Sequence, residues 1–263
     1  PGYTGIPTDP VSLTILGALI VAGGLGIPVW GDFLFGRGKL SLHTRVTLAI
    51  SAALIIGGAL AIALAEHRPG GVLVEQPWLG GFGQALFQSV SARTAGFASL
   101  PDLDQLTYAS QWVITSLMFV GTAPASMGGG ITTGTLAILV LTLWSYTRGL
   151  PQVRIGKRAI SQDTVRRALA VLTISVILVA STTWLLLMTQ GVTLDDALFS
   201  IVSAFATTGL ATISMTELNW FGLLILMLMM FWGRLGALTI VLALARQTPA
   251  QPVTYPEEQL LIG

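Results

Sequence analysis

Long apolar stretches set the pattern of this chain, at approximately 11–30, 46–65, 108–146, 168–189 and 219–245. A helix needs about 20 predominantly apolar residues to cross a hydrocarbon core of ~30 Å, so these stretches predict five membrane spans. Two further segments, 81–97 and 194–210, read as short amphipathic helices that end in a glycine. About 12 helical residues cover only ~18 Å, too little to cross. Because the spans on either side leave both segments on the outer face, each is expected to dip into the membrane and return. Thr193 stands at an N-cap position with Asp196 three residues on, and Asp195 and Asp196 complement the positive N-terminal end of the second short helix.

Sliding the sequence on itself by 112 residues aligns Ala85-Leu86-Phe87 with Ala197-Leu198-Phe199, Val90-Ser91-Ala92 with Val202-Ser203-Ala204, and Met118, Phe119 and Gly121 with Met230, Phe231 and Gly233. One arrangement of span, short segment and span is thus read twice, as 46–65, 81–97 and 108–146, then 168–189, 194–210 and 219–245. Gly96 pairs with Gly209 at a spacing of 113. Internal repeats of this kind are common in transporters and channels. A non-helical return inside the membrane is tolerated only where protein or water covers it, and its freed carbonyls can replace the hydration shell of an ion. Glycine at the turn leaves the path open and accepts φ > 0, while the negative C-terminal end of the short helix favours a cation there. The plainer reading, that Gly96 and Gly209 only end interfacial helices, is weakened by their equivalent places in two copies.

Composition narrows the class further. The chain is 53% hydrophobic and 10% charged, with a mean hydropathy of +0.78. Soluble domains carry roughly 25% charged residues, so an ordinary soluble domain is excluded. A net charge of +1 gives no basic field for nucleic acid, and the lack of cysteine removes disulfides, thiolate metal sites and thiol nucleophiles. Two histidines, His43 and His67, are too few for an imidazole metal cluster. The Asp and Glu residues lie in loops or at span ends, which argues against an enzyme, because neither a carboxylate pair nor a nucleophile with its base lies within the spans. Arg37, Lys39, Arg45, Arg148, Arg154, Lys157, Arg158, Arg166, Arg167 and Arg246 all fall on one side of the predicted spans, with Arg68 and Arg93 opposite. By the positive-inside rule, loops 31–45 and 147–167 and the C-terminus are cytoplasmic and the N-terminus is external. Residues 1–10 have neither an initiator Met nor a signal-peptide layout, so further spans are expected upstream.

Stretch 108–146 would be about 58 Å long as one helix, nearly twice the bilayer core. It is expected to break at 121–134 (GTAPASMGGGITTG), where Pro124, three consecutive glycines and several hydroxyls disfavour a continuous helix. Arg234 stands near the middle of the last predicted span, at a depth where a charge needs partners. With no acidic residue at that depth, the carbonyls of 121–134 and the Ser126 or Thr122 hydroxyls are its expected acceptors. Arg93 is expected to brace the C-terminal end of the first short helix.

At these residues the sequence resembles the Trk/Ktr/HKT superfamily of potassium transporters, and within it the KtrB-like membrane subunits. The likeness is carried by VSARTAGF at 90–97, MFVGTAPASMGGGITTGT at 118–135, VSAFATTGL at 202–210, MFWGRLGALTIVLALA at 230–245, YPEEQLLIG at 255–263 and LSLHTRVTL at 40–48. The resemblance implies an all-α membrane protein of repeated span/pore-loop/span units around one cation path. It reads 1–45 as the last span of repeat two with its cytoplasmic loop, 46–160 as repeat three with an intramembrane gating loop at 121–134, 161–248 as repeat four, and 249–263 as a cytoplasmic tail. It implies that Thr94, Ala95, Gly96 and Phe97, with Thr207, Thr208, Gly209 and Leu210, supply backbone carbonyls for K⁺ in two quarters of a selectivity filter. Gly121, Thr122, Ser126, Gly128, Gly129, Gly130 and Arg234 would form the gate. It further implies K⁺ uptake across the plasma (inner) membrane with Na⁺ as a coupling or activating ion, no organic cofactor, a homodimer, and a cytosolic RCK-type nucleotide-binding regulatory subunit. The chain departs from the family pattern at Ala125-Ser126, where a Gly-Ser pair is common, and at Thr132, where a Lys is common. The competing reading is a secondary transporter with broken helices for another small ion, which would use helix N-termini at its site.

Overall fold

The computed structural model describes residues 9–36, 40–100, 103–150, 152–155 and 158–236. Among them the chain is helical apart from one pair of two-residue strands. The first apolar stretch is not one continuous helix. Helix α1 (Pro10–Gly24) is capped by the Asp9 carboxylate on the Ser12 N–H, and α2 (Ile27–Phe35) leaves it at a bend of 94°. Gly26 between them holds φ 79°, and Pro28 in the first turn of α2 lacks the N–H a continuous helix would need there.

Helices α3 (Leu42–Glu66) and α7 (Gln162–Thr189) are continuous and apolar enough to cross a membrane, each started by a serine, Ser41 or Ser161, whose hydroxyl accepts a backbone N–H of the first turn. Between α3 and the next long element lies α4 (Trp78–Ser91), which begins ahead of residue 81 because Pro77 occupies its N-cap. The 108–146 stretch is broken as its composition requires, into α5 (Tyr108–Phe119) and α6 (Thr133–Thr147). The second short helix, α8 (Leu194–Phe205), has the expected cap: Thr193 Oγ1 accepts the Asp196 N–H at 3.3 Å and donates to Asp196 Oδ2 at 2.8 Å. Helix α9 (Trp220–Leu235) starts with Asn219 accepting from the Phe221 and Gly222 N–H groups and ends at Gly236, φ 79°. The remainder of the predicted 219–245 span and the 249–263 tail lie outside the described residues. Inside the basic 147–167 loop, β1 (Arg154–Ile155) pairs antiparallel with β2 (Arg158–Ala159), a local addition to the all-α expectation.

The two short helices sit at the centre. Helix α4 lies on α3, where Ser89 Oγ donates to the Ile55 carbonyl at 2.9 Å beside Gly58. Helix α8 is enclosed by α5, α7 and α9, and its second half from Phe199 to Phe205 is wholly buried. Phe205, Ile114, Met118, Leu186, Ile201 and Met229 are the large, fully covered side chains of this core. The buried Glu66 carboxylate closes one end, accepting the Val72 N–H at 2.9 Å, the Thr107 N–H at 3.0 Å and the Thr107 hydroxyl at 2.7 Å. At Gly233, α9 runs so close to the end of α8 that a Cβ would overlap the Phe205 carbonyl oxygen. Gly233→Ala should therefore lower the thermal midpoint of the full-length protein in detergent, the backbone overlap costing about 1–3 kcal/mol. An unchanged midpoint would mean that α9 is free to move away.

Candidate functional site

After α4 and α8 the chain reverses in the same backbone shape. Thr94 and Gly96 hold φ 70° and 78°, Thr207 and Gly209 hold φ 54° and 91°, and the residue between each pair, Ala95 or Thr208, is not left-handed. Positive φ is an outlier for a β-branched residue and persists only where the surroundings fix it. They do so here through equivalent serines. The Ser91 carbonyl accepts the Ala95 and Gly96 N–H groups at 3.0 and 3.2 Å, and its hydroxyl accepts the Phe97 N–H at 2.7 Å and donates to the Phe97 carbonyl at 2.5 Å. In the second return the Ser203 carbonyl accepts the Thr208 N–H at 2.9 Å and its hydroxyl accepts the Gly209 N–H at 3.2 Å. The outgoing strands are tied to their own helices by Ser99, whose N–H donates to Gln88 Oε1 at 3.1 Å, and by Thr212, whose hydroxyl donates to Asp196 Oδ1 at 2.7 Å.

The two returns meet each other. A Cβ on Gly96 would overlap the Thr208 carbonyl oxygen, whereas one on Gly209 would touch nothing. Leu210 and Thr208 are buried, and Phe97 is half-buried.

The segment between α5 and α6 packs against both returns. Its two ends close on themselves, with Val120 bridged to Ile131, the Ile131 N–H on the Phe119 carbonyl at 3.1 Å and the Thr133 N–H on the Thr122 carbonyl at 3.0 Å. Thr122 and Ser126 share a hydroxyl hydrogen bond of 2.5 Å. A Cβ on Gly128 would overlap the Thr122 and Thr94 hydroxyls, and the Gly129 N–H donates to the Ala206 carbonyl at 3.2 Å. Gly130 is left-handed at φ 78°, and a Cβ on Gly121 would overlap the Gly129 carbonyl oxygen. Of the residues named from sequence, Thr94, Gly96, Thr207 and Thr208 are thus brought beside Gly121, Thr122, Gly128 and Gly129.

Two arginines reach this segment. Arg234, in the last described turn of α9, donates to the Met127 carbonyl, one of the loop carbonyls expected to accept from it, and lies 3.7 Å from the Met127 sulfur. Arg93 does not brace α4: its Nη2 donates to the Gly121 carbonyl at 3.1 Å and approaches Ser51 Oγ at 3.5 Å.

One participant was missed from sequence. Segment 24–27 hydrogen-bonds the loop through Ala123 N–H on the Gly24 carbonyl at 3.0 Å and Ile27 N–H on the Ala125 carbonyl at 3.2 Å; the Gly26-Ile27-Pro28 run was its signal. Ala125, one of the departures noted in the sequence, is left-handed at φ 58°, a conformation that glycine adopts without strain. Which of the loop carbonyls would meet Arg234 was not marked; it is that of Met127.

A family model described as cation transport protein, TrkH, matches residues 44–253. The chain is 35% identical over 263 residues to the Ktr system potassium uptake protein B of Vibrio alginolyticus, covering 97% of this chain and 56% of that protein. It is 33% identical over 251 residues to the Ktr system potassium uptake protein D of Bacillus subtilis, covering 93% and 55%, and 33% identical over 267 residues to the potassium/sodium uptake protein NtpJ of Enterococcus hirae, covering 97% and 58%. The chain therefore spans about half the length of the curated relatives it matches. Its fold is similar to the crystal structure of the potassium transporter TrkH from Vibrio parahaemolyticus, at a TM-score of 0.75 and 18% identity, over 92% of this chain and 53% of that one.

Gly96 and Gly209 both resist substitution for their backbone shape, but only Gly96 also resists it for space. Left-handed φ costs an L-residue about 1–2 kcal/mol, so Gly209→Ala should lower the thermal midpoint modestly and Gly96→Ala more severely. Equal losses would show that the Gly96–Thr208 approach is not retained in the assembled protein.

Proposed function

The chain belongs to the TrkH family of cation transport proteins, an integral membrane family, and from that premise we propose that it lines half of a selective K⁺ path, gated by the loop 121–134. The observation that carries this reading is the meeting of two left-handed returns at Gly96 and Thr208, covered by a loop that is hydrogen-bonded to one of them and to Arg234. The chain leaves the C-terminal ends of α4 and α8 directly into these returns. Their negative dipole ends favour a cation, whereas the broken-helix transporter reading calls for N-termini at the site.

On this reading 1–45 is the end of a second span/pore-loop/span unit, 46–160 a third, 161–248 a fourth and 249–263 a cytoplasmic tail. Carbonyls of residues 94–97 and 207–210 replace the water around K⁺, and the relatives' half-length overlap leaves the other two filter elements to the rest of the protein. The loops 31–45 and 147–167 and the C-terminus face the cytoplasm. By resemblance, the protein works as a homodimer in the cell membrane with a cytosolic RCK-type nucleotide-binding subunit, and Na⁺ is its coupling or activating ion. The name of the Enterococcus relative, a potassium/sodium uptake protein, supports the place of Na⁺.

Arg234 latches the loop: its donors hold the Met127 carbonyl, and its charge beside the path raises the barrier for a cation until the loop moves. In the full-length protein, Arg234→Ala should raise K⁺ flux into proteoliposomes by about tenfold, equivalent to ~1.4 kcal/mol, with K⁺/Na⁺ preference unchanged. Arg234→Lys should restore closure only in part, because an ammonium lacks the planar fork. Unchanged or lower flux from well-assembled Arg234→Ala would leave the arginine a structural role only. Gly209→Ser should instead alter K⁺ affinity or K⁺/Na⁺ preference, and wild-type kinetics from both Gly96→Ser and Gly209→Ser would remove the filter assignment. The 263-residue chain alone should carry no selective K⁺ flux.

A further inference from the structure

Arg93 is a buried cation, 6% exposed, whose guanidinium meets no carboxylate among the described residues. Its Nη2 rests on the Gly121 carbonyl and near Ser51, and its buried Nε donates to nothing among those residues. An uncompensated buried charge is costly, and α4 is tied to α3 by Ser89 without it. What Arg93 does reach is the first residue of the loop. The guanidinium borders a small cavity bounded by Ile20, Gly24, Ser51, Ile55 and Thr122, so it stands between α1, α3 and the loop's first residues.

The same part of the loop is held again from α1 and α2. Ala123 N–H donates to the Gly24 carbonyl, Ala125 accepts from the Ile27 N–H, and a Cβ on Gly26 would stand 2.5 Å from the Pro124 carbonyl oxygen. Residues 121–125 are thus gripped by elements outside α5 and α6 on two sides. Residues 126–130 have fewer ties to other elements: the Gly129 N–H on Ala206 and the Met127 carbonyl on Arg234. The boundary falls at Ala125, left-handed at φ 58°, followed by Ser126, whose N–H returns to the Ala123 carbonyl at 3.2 Å.

We propose that Arg93 is a positioning residue that, together with the α1–α2 kink at Gly24–Ile27, anchors residues 121–125, so that the loop works as a hinged flap in which only 126–130 moves. This rests on the gating reading of the loop and refines it. It also gives the kink a purpose: α2 is joined to the hinge by the Ile27 N–H on the Ala125 carbonyl.

Amide hydrogen exchange with residue-level fragmentation, on the full-length protein in nanodiscs, tests this. Arg234→Ala should cause loss of protection at Gly129, whose N–H is held by the Ala206 carbonyl, and none at Ala123. Adding Arg93→Gln should extend the loss to Ala123, while Arg93→Lys, which still donates to the Gly121 carbonyl, should keep Ala123 protected. Should Arg93→Gln fail to assemble, Ile27→Pro carries the test: it deletes one N–H at a first-turn position that accepts proline, and it should deprotect Ala123 in the Arg234→Ala background. Loss of protection at Ala123 from Arg234→Ala alone overturns the hinge and leaves the latch standing, as does unchanged Ala123 protection in Arg93→Gln or Ile27→Pro. No change at Gly129 in Arg234→Ala removes the latch, and the hinge with it.

Discussion

Backbone that leaves a helix within apolar surroundings must find hydrogen-bond partners in the protein itself, because hydrocarbon supplies none. This chain leaves a helix in that way three times close together, after α4, after α8 and between α5 and α6. The returns use the carbonyls and hydroxyls of Ser91 and Ser203 at the ends of their own helices, while the loop borrows the Ala206 carbonyl from the second return and the Gly24 carbonyl from the kink. The loop depends on its neighbours for partners that it does not itself supply. Together they form an irregular centre enclosed by regular helices.

Close approach follows from that dependence. Backbone can hydrogen-bond or pass another backbone only where side chains stand aside, and glycine does so at Gly26, Gly96, Gly121 and Gly233. The left-handed residues that are not glycine, Thr94, Ala125 and Thr207, show the opposite side of the constraint. Each carries strain on the order of 1–2 kcal/mol, and each sits at a cluster contact or a hinge. Strain of this kind survives only where the surroundings over-determine it: Thr207 follows the buried run Phe199 to Phe205, Thr94 lies against Gly128, and the Ala125 carbonyl is held by the Ile27 N–H.

The cations near this centre are balanced by dipoles rather than by opposite charges. Among the described residues the ion pair present, Arg167 with Asp163, is an exposed i,i+4 pair on α7. Such a pair is worth only a few tenths of a kcal/mol. Arg93 and Arg234 instead meet carbonyl oxygens of the loop, Gly121 and Met127 respectively. A carbonyl fixes a guanidinium in place without cancelling its charge, so both arginines remain positive beside the path proposed for a cation, one at the start of the loop and one past its hinge.

Much of this was legible in the chain as a string. Hydropathy located α3 and α7, the Pro124 and triple-glycine run located the break between α5 and α6, and the 112-residue repeat with Gly96 and Gly209 located the two returns. These features depend on local propensity and periodicity, which act over one or two helical turns. Partners across space were not legible. Hydropathy ran through Gly26-Ile27-Pro28 as if 11–30 were one helix, because it measures transfer from water and is blind to φ. Arg93 was assigned to the helix before it, yet its acceptor Gly121 lies 28 residues further on, across α5. Arg234 was rightly turned toward the loop's carbonyls and hydroxyls, but which of them it meets, the Met127 carbonyl, was not legible; the Thr122 and Ser126 hydroxyls pair with each other. The sequence by itself determined where helices form, where they must break and which two turns are equivalent. Only the tertiary structure decided which freed carbonyl meets which donor, because that depends on distances between segments that no local pattern encodes.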